Sequence, residues 1–272
     1  MRAALVVLVA CGRVGFDGHT DAAAQDTASD AASDVASDAP RYHVTAVRFA
    51  TAANDYMFAG SLANVTDSPR GTYSVWLRFH AGDGQLQMLS VAQVVGVGGV
   101  VRTAANQFEL LMQDCLAVPL LDMRSAGTYT AASGWVHLLA SWDVTAGRAQ
   151  LYVGDAVDQQ ANPGIAPGNI CYASLRWGIG GLSSGQLDAD VAELYADLGT
   201  SLDLRIDTNR RAFSDAAGKP VDLGPQCSAP AGHVPTGCFT GAAATWFMNQ
   251  GTGKGFTLGG AALAEAPTSP SD

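Results

Sequence analysis

The chain has 272 residues, 48% of them hydrophobic, and a formal charge of −10. That is enough apolar content for a sizeable core, and length for one large all-β domain or two small ones. The acidic balance argues against a nucleic-acid partner, which needs clustered Lys and Arg, and no apolar run approaches the roughly 18–20 residues that cross a bilayer as a helix. Charged residues are 15% of the chain, with two Lys and three Glu against 31 Gly; few long helix-favouring side chains and many glycines predict strands and turns.

At the start, Met1-Arg2 precedes an apolar run from Ala3 to Ala10, and Cys11 follows Leu8-Val9-Ala10. A charged start, a short apolar stretch and small residues before a cleavage point read as a secretory signal. The Cys directly after Leu-Val-Ala resembles the lipobox of bacterial lipoproteins. The resemblance implies that residues 1–10 are a signal peptide and that Cys11 becomes the lipidated first residue of an envelope protein. Gly12 is not the Asp that retains enteric lipoproteins in the inner membrane, which points to the outer membrane and cell surface. Setting Cys11 aside leaves four of the five cysteines, which allow three pairings. Cys227 and Cys238 flank a short Pro/Gly loop and are its natural staple; Cys115 and Cys171 are then partners by elimination, in an oxidising compartment.

Residues 11–40 are expected to be a linker. From Gly12 to Pro40 there are six Asp, one Arg and one aromatic, Phe16. Such a stretch cannot bury enough apolar surface to offset its ordering entropy, and it reads as a disordered, self-repelling tether. A single globular domain is expected over 41–272. Thr72 to Phe79 alternates, with Tyr73, Val75, Leu77 and Phe79 on one face. Leu86–Val95 and Phe108–Gln113 are further strand candidates. Trp135–Val144, a turn at Thr145-Ala146-Gly147, and Arg148–Val153 read as a β-hairpin. Ser174–Gly180 and Asp188–Asp197 follow, Trp246-Phe247 and Thr257-Leu258 sit in expected late strands, and one helical turn is expected within Asp207–Ala216. Many short strands with Gly-rich turns predict an all-β sandwich or barrel.

Several segments resemble the laminin-G-like, concanavalin A-like jelly rolls: Val47-Arg48-Phe49 with Asn54-Asp55-Tyr56-Met57, then Tyr73 to Phe79, then Gly134 to Asp143 with Ala149 to Asp155, then Leu187 to Tyr195. The resemblance covers about residues 45–200 and implies two antiparallel sheets packed face to face, binding carbohydrate or protein without catalysis. Asn209 to Phe213, Gly218 to Gly224 and Asn249 to Gly253 resemble the tails of jelly-roll proteins of phage virions, which implies a structural or assembly role as an alternative.

The sharpest catalytic candidate is Asp188-Ala189-Asp190-Val191-Ala192-Glu193. Laminarinases and lichenases of the same overall fold carry Glu-x-Asp-x-x-Glu on one strand, so the resemblance offers Glu193 with Asp188 as a hydrolase pair. Retaining hydrolysis needs two carboxyls about 5–5.5 Å apart. Asp188 is one methylene short, and without a bulge Glu193 faces away from Asp188 and Asp190. The ordinary reading is the late strand of a non-catalytic jelly roll, with Asp188, Asp190, Glu193 and a sugar-stacking Trp142 as candidate binding residues. Lectin-like domains often hold Ca²⁺ at a sheet rim; Asp55, Asp143 and Asp188 occupy suitable loop or strand-end positions. His137 reads as structural. No Gly-x-Ser-x-Gly elbow is present, and Gly251-Thr252-Gly253-Lys254-Gly255 lacks P-loop spacing, so a hairpin turn is expected there.

Overall fold

In a computed structural model, the described residues are 42–93, 97–173, 176–181, 185–253 and 255–272. The expected signal peptide, Cys11, the linker and the expected strand ends at Val94-Val95 and Ser174-Leu175 lie outside them. Sixteen strands form among the described residues: β1 (Val47–Phe49), β2 (Met57–Ala59), β3 (Arg70–Phe79), β4 (Gln87–Gln93), β5 (Val97–Arg102), β6 (Phe108–Gln113), β7 (Pro119–Arg124), β8 (Val136–Asp143), β9 (Arg148–Val153), β10 (Ala156–Val157), β11 (Gly164–Ile165), β12 (Arg176–Ile179), β13 (Ala189–Asp197), β14 (Gly237–Phe239), β15 (Thr257–Leu258) and β16 (Ala264–Glu265). They make two antiparallel sheets. The first runs β10-β9-β8-β3-β13-β1-β16, with β14 also paired to β13; the second runs β11-β7-β6-β5-β4-β12-β2-β15. The protein is an all-β, two-sheet jelly-roll sandwich.

Alternation builds the core between the sheets. Tyr73, Val75, Leu77 and Phe79 of β3 face inward with Leu138, Ala140 and Trp142 of β8, against Leu110, Met112, Leu121 and Met123 of the second sheet. Each such side chain, fully buried, contributes about 1.5–3 kcal/mol. Gly71 admits the Trp142 ring: a Cβ there would lie 2.3 Å from it.

The two sheets differ on their outer faces. On the second, β6 alternates buried and half-buried residues, the pattern of a sheet wet on one side. The first sheet is buried on both faces along β8 and β13. Leu204, Phe213 and Leu223, from the chain after β13, pack over Leu139, Tyr152 and Tyr195, and Val44 and Ala46 cover Trp76 and Ala192. Several polar side chains trapped beneath find hydrogen-bond partners. Leu202 N–H donates to Thr72 Oγ1 (3.2 Å) and Ser141 Oγ (3.0 Å), and Ser74 Oγ lies 2.8 Å from His137 Nε2. Burial pushes His137 down to about 3, so it is neutral, and its ring stacks on Trp76.

Helix α1 spans Asp207–Arg211, the helical turn expected within Asp207–Ala216, and Phe213 then turns down into the cluster over Tyr195. Two expectations need correction. Trp246-Phe247 is not in a strand: Trp246 caps the 3-10 turn Ala243–Thr245 and packs its ring on Phe49 and Phe239. Gly251–Gly253 joins no hairpin; it lies against another loop, with Thr252 N–H on Pro235 O (2.8 Å) and Gly253 N–H on Thr236 O (2.9 Å). A Cβ on Gly251 would come within 2.6 Å of Thr236 O. Disulfides join Cys115 to Cys171 and Cys227 to Cys238.

Candidate functional site

The carboxylates of 188–193 fall into three separate environments. Asp190 is fully buried on the outer face of β13. Arg48 Nε donates to its Oδ1 at 2.5 Å, and His80 Nε2 lies 2.9 Å from Oδ2. The register shifts between Ala192 and Tyr195, and Glu193 sits in the shift with φ 43°. The bulge turns its carboxyl beneath Tyr42, whose hydroxyl donates to Oε1; Oε2 is buried without a partner. Burial pushes Glu193 up to about 7, opposed by the Tyr42 hydrogen bond and reinforced by Asp222.

Asp188 precedes β13 and lines an open groove. Five residues along a strand put it about 15 Å from Glu193, against the 5–5.5 Å of a retaining pair. The structure does not bring the two together. Trp142 is a core residue that donates from Nε1 to Tyr172 OH (2.9 Å), so it offers no stacking face. Asp143 is held by Arg70 at 2.8 Å, at the opposite end of β3 from Asp188. Asp143 and Asp188 therefore share no site, and Asp55, in the β1–β2 loop, accepts from Ala50 N–H at 3.2 Å. Among the described residues the cluster with metal-ligand spacing is Asp67, Cys115 and Cys171, whose two sulfurs are consumed in the disulfide.

The groove holding Asp188 measures about 650 Å³ and is walled by three loops. The β1–β2 loop brings Thr51 and Asn54, the β3–β4 connection brings Gln85, the first residue of β4 is Gln87, and the segment before β13 brings Gln186 and Asp188. Backbone hydrogen bonds fix these loops: Met88 N–H to Gly185 O (2.7 Å), His80 N–H to Asp188 O (3.0 Å) and Gln85 N–H to Gly82 O (3.0 Å). Beneath them lies Arg102, wholly buried. It donates from Nη2 to Ala81 O and Gly82 O and from Nη1 to Asp83 and Tyr129 O. Its guanidinium lies 4.2 Å from the Phe79 ring centroid. One cation thus anchors a loop built on Gly82 and Gly84, both at positive φ, where glycine is favoured.

Gln87 gives the groove its most specific feature. It is 2% exposed. Its Nε2 donates to Ala81 O at 2.9 Å, which fixes the amide orientation and leaves Oε1 buried without a partner. A buried amide oxygen left unpaired costs about 1–3 kcal/mol. Gln186 Nε2 donates to Asn54 Oδ1. Sequence reasoning found Asp188 and missed the amides, whose one signal is the cluster Gln85-Leu86-Gln87 beside the Gly82-Asp83-Gly84 turn.

No protein-family model matches the sequence, and no curated protein matches it either. Solved structures do resemble it. A Bacteroides ovatus protein described as a carbohydrate-binding candidate shares 11% identity at TM-score 0.51, over 80% of this chain and 60% of that one. The heptameric SAP-like pentraxin of Limulus polyphemus shares 10% identity at TM-score 0.44, over 60% of this chain and 79% of that one. The binding domain of botulinum neurotoxin serotype D shares 12% at TM-score 0.44, over 64% and 45%. At these identities the first likeness speaks for the fold alone, and function has to be argued from the site.

Proposed function

We propose that this chain is a non-catalytic binding module for neutral carbohydrate, carried on a lipid-anchored tether at the cell envelope. The observation that carries the reading is the groove lined by Thr51, Asn54, Gln85, Gln87, Gln186 and Asp188. Hydroxyl, amide and carboxylate groups pair with sugar hydroxyls, which both donate and accept. The unpartnered Gln87 Oε1 suits a ligand O–H, and Asp188 can accept from two vicinal hydroxyls. Among the described residues no cationic side chain lines the groove, and the chain carries −10, which disfavours acidic glycans. The fold likeness to a carbohydrate-binding candidate agrees with this ligand class. The distance between Asp188 and Glu193 favours binding over hydrolysis.

A glycan array followed by calorimetry on the captured neutral oligosaccharides tests the reading. Asp188→Asn and Gln87→Leu should each weaken binding roughly 10-fold or more, since leaving a polar partner unpaired costs about 1–3 kcal/mol. Full affinity in both variants, no neutral glycan captured, self-assembly in place of binding (the virion-like alternative), or β-glucan hydrolysis lost in Glu193→Gln would each overturn it.

A further inference from the structure

The groove that holds Asp188 has an apolar wall as well as a polar one. Leu86 is 45% exposed and lines it beside Gln87, its neighbour in the chain. An exposed leucine on a convex surface needs no explanation, but one inside a concave groove is covered by whatever fills the groove. The backbone around Leu86 is fixed on both sides. Gln85 N–H donates to Gly82 O (3.0 Å) and Met88 N–H to Gly185 O (2.7 Å). Gly185 approaches so closely that a Cβ on it would stand 3.2 Å from Leu86 O. The two neighbours ask different things of a ligand. Gln87 Oε1, buried and without a partner, takes a hydrogen-bond donor and nothing else. Leu86 takes apolar surface. Among the described residues no aromatic ring lines the groove, so the flat face of a sugar ring has no platform on which to stack.

We infer that the groove selects sugars bearing an acetamido group, the substituent of an N-acetylhexosamine. The inference rests on the carbohydrate reading proposed above and names the substituent that the site recognises. Neutral sugar substituents differ in what they bring. A hydroxyl supplies a donor for Gln87 Oε1 but leaves Leu86 bare. The methyl of a deoxyhexose covers Leu86 but donates nothing. An acetamido group does both: its N–H donates to Gln87 Oε1 and its methyl packs on Leu86. Its carbonyl then needs a donor. Asn54, whose Oδ1 accepts from Gln186 Nε2, has its own Nδ2 to give, and Gln85 brings a second amide to the groove. Asp188 is left to accept from the adjacent ring hydroxyls. The acetamido group is also uncharged, which suits a groove with no cationic side chain among its described lining residues.

Calorimetry and saturation-transfer NMR with two matched pairs of sugars test the inference: N,N′-diacetylchitobiose against cellobiose, and N-acetyllactosamine against lactose. The members of each pair differ only in acetamido for hydroxyl. At least one acetylated sugar should bind about fivefold or more tightly than its counterpart, with its acetyl methyl the most strongly saturated signal. Leu86→Ser should abolish that preference and leave binding of the unacetylated sugars unchanged. Leu86→Ile keeps the aliphatic contact and should retain the preference; thermal melts check that both variants are folded. Equal affinity within both pairs, a preference that survives Leu86→Ser, or failure of both acetylated sugars to bind would overturn the acetamido assignment. The groove reading would still stand if Asp188→Asn weakens binding of any neutral glycan; if no neutral glycan on the array binds, both readings fall.

Discussion

Glu193 combines three costs in one residue: a left-handed backbone at φ 43°, near-complete burial and a carboxyl oxygen without a partner. Burial raises it from 4.5 to about 7. The direction of the pH effect follows. In the unfolded chain the group ionises near 4.5; in the folded protein it keeps its proton to about 7. Its ionisation therefore costs nothing below about pH 4.5, erodes stability between about 4.5 and 7, and costs its full amount above 7. At 1.36 kcal/mol per pKa unit the total is about 3 kcal/mol. Glu193→Gln keeps an acceptor for Tyr42 and removes the charge. Urea denaturation should find the variant about 2–3 kcal/mol more stable at pH 8 and near parity at pH 4. Equal stability at pH 8 would mean that the carboxylate is solvated there. The spacing of 188, 190 and 193 is visible in the sequence, yet what separates the three residues is not. The bulge aims Glu193 at Tyr42, more than 150 residues away, and no local pattern announces that contact.

At the scale of elements, the two disulfides do different work. Cys227 and Cys238 are 11 residues apart and Cys115 and Cys171 are 56 apart. Loop-closure entropy predicts about 3 kcal/mol from the first and about 4 kcal/mol from the second. Chemical denaturation of Cys115→Ala/Cys171→Ala should therefore show the larger loss, and hydrogen exchange should rise over 114–118 in that variant alone. The reverse order would place the stabilisation in native-state packing instead of the unfolded chain. Strands with clean alternation were legible: β6 and β9 span the expected Phe108–Gln113 and Arg148–Val153, because a period of two reports one buried face. Trp246 was misread because two adjacent aromatics carry no period. The groove stayed hidden for a different reason. Thr51 and Gln186 come from two loops and Gln87 from the start of β4, each unremarkable alone, and they meet because β4 pairs with β12, which pairs with β2.

For the whole molecule, the arrangement of polar and apolar features is directional. The amide-lined groove stands at one end and the exposed Leu116 and Val118 at the other. The two lie roughly 30 Å apart, the length of β3. The proposed envelope reading places the attachment at the sulfur of Cys11. On that reading, Cys11→Ser should move the protein from the membrane to the soluble fraction. Its affinity for glycan in solution should be unchanged, since Asp188 and Gln87 are untouched. Fractionation that stays with the membrane would remove the lipid anchor from this account. Lost glycan affinity in the released protein would overturn the assignment of binding to the groove residues alone.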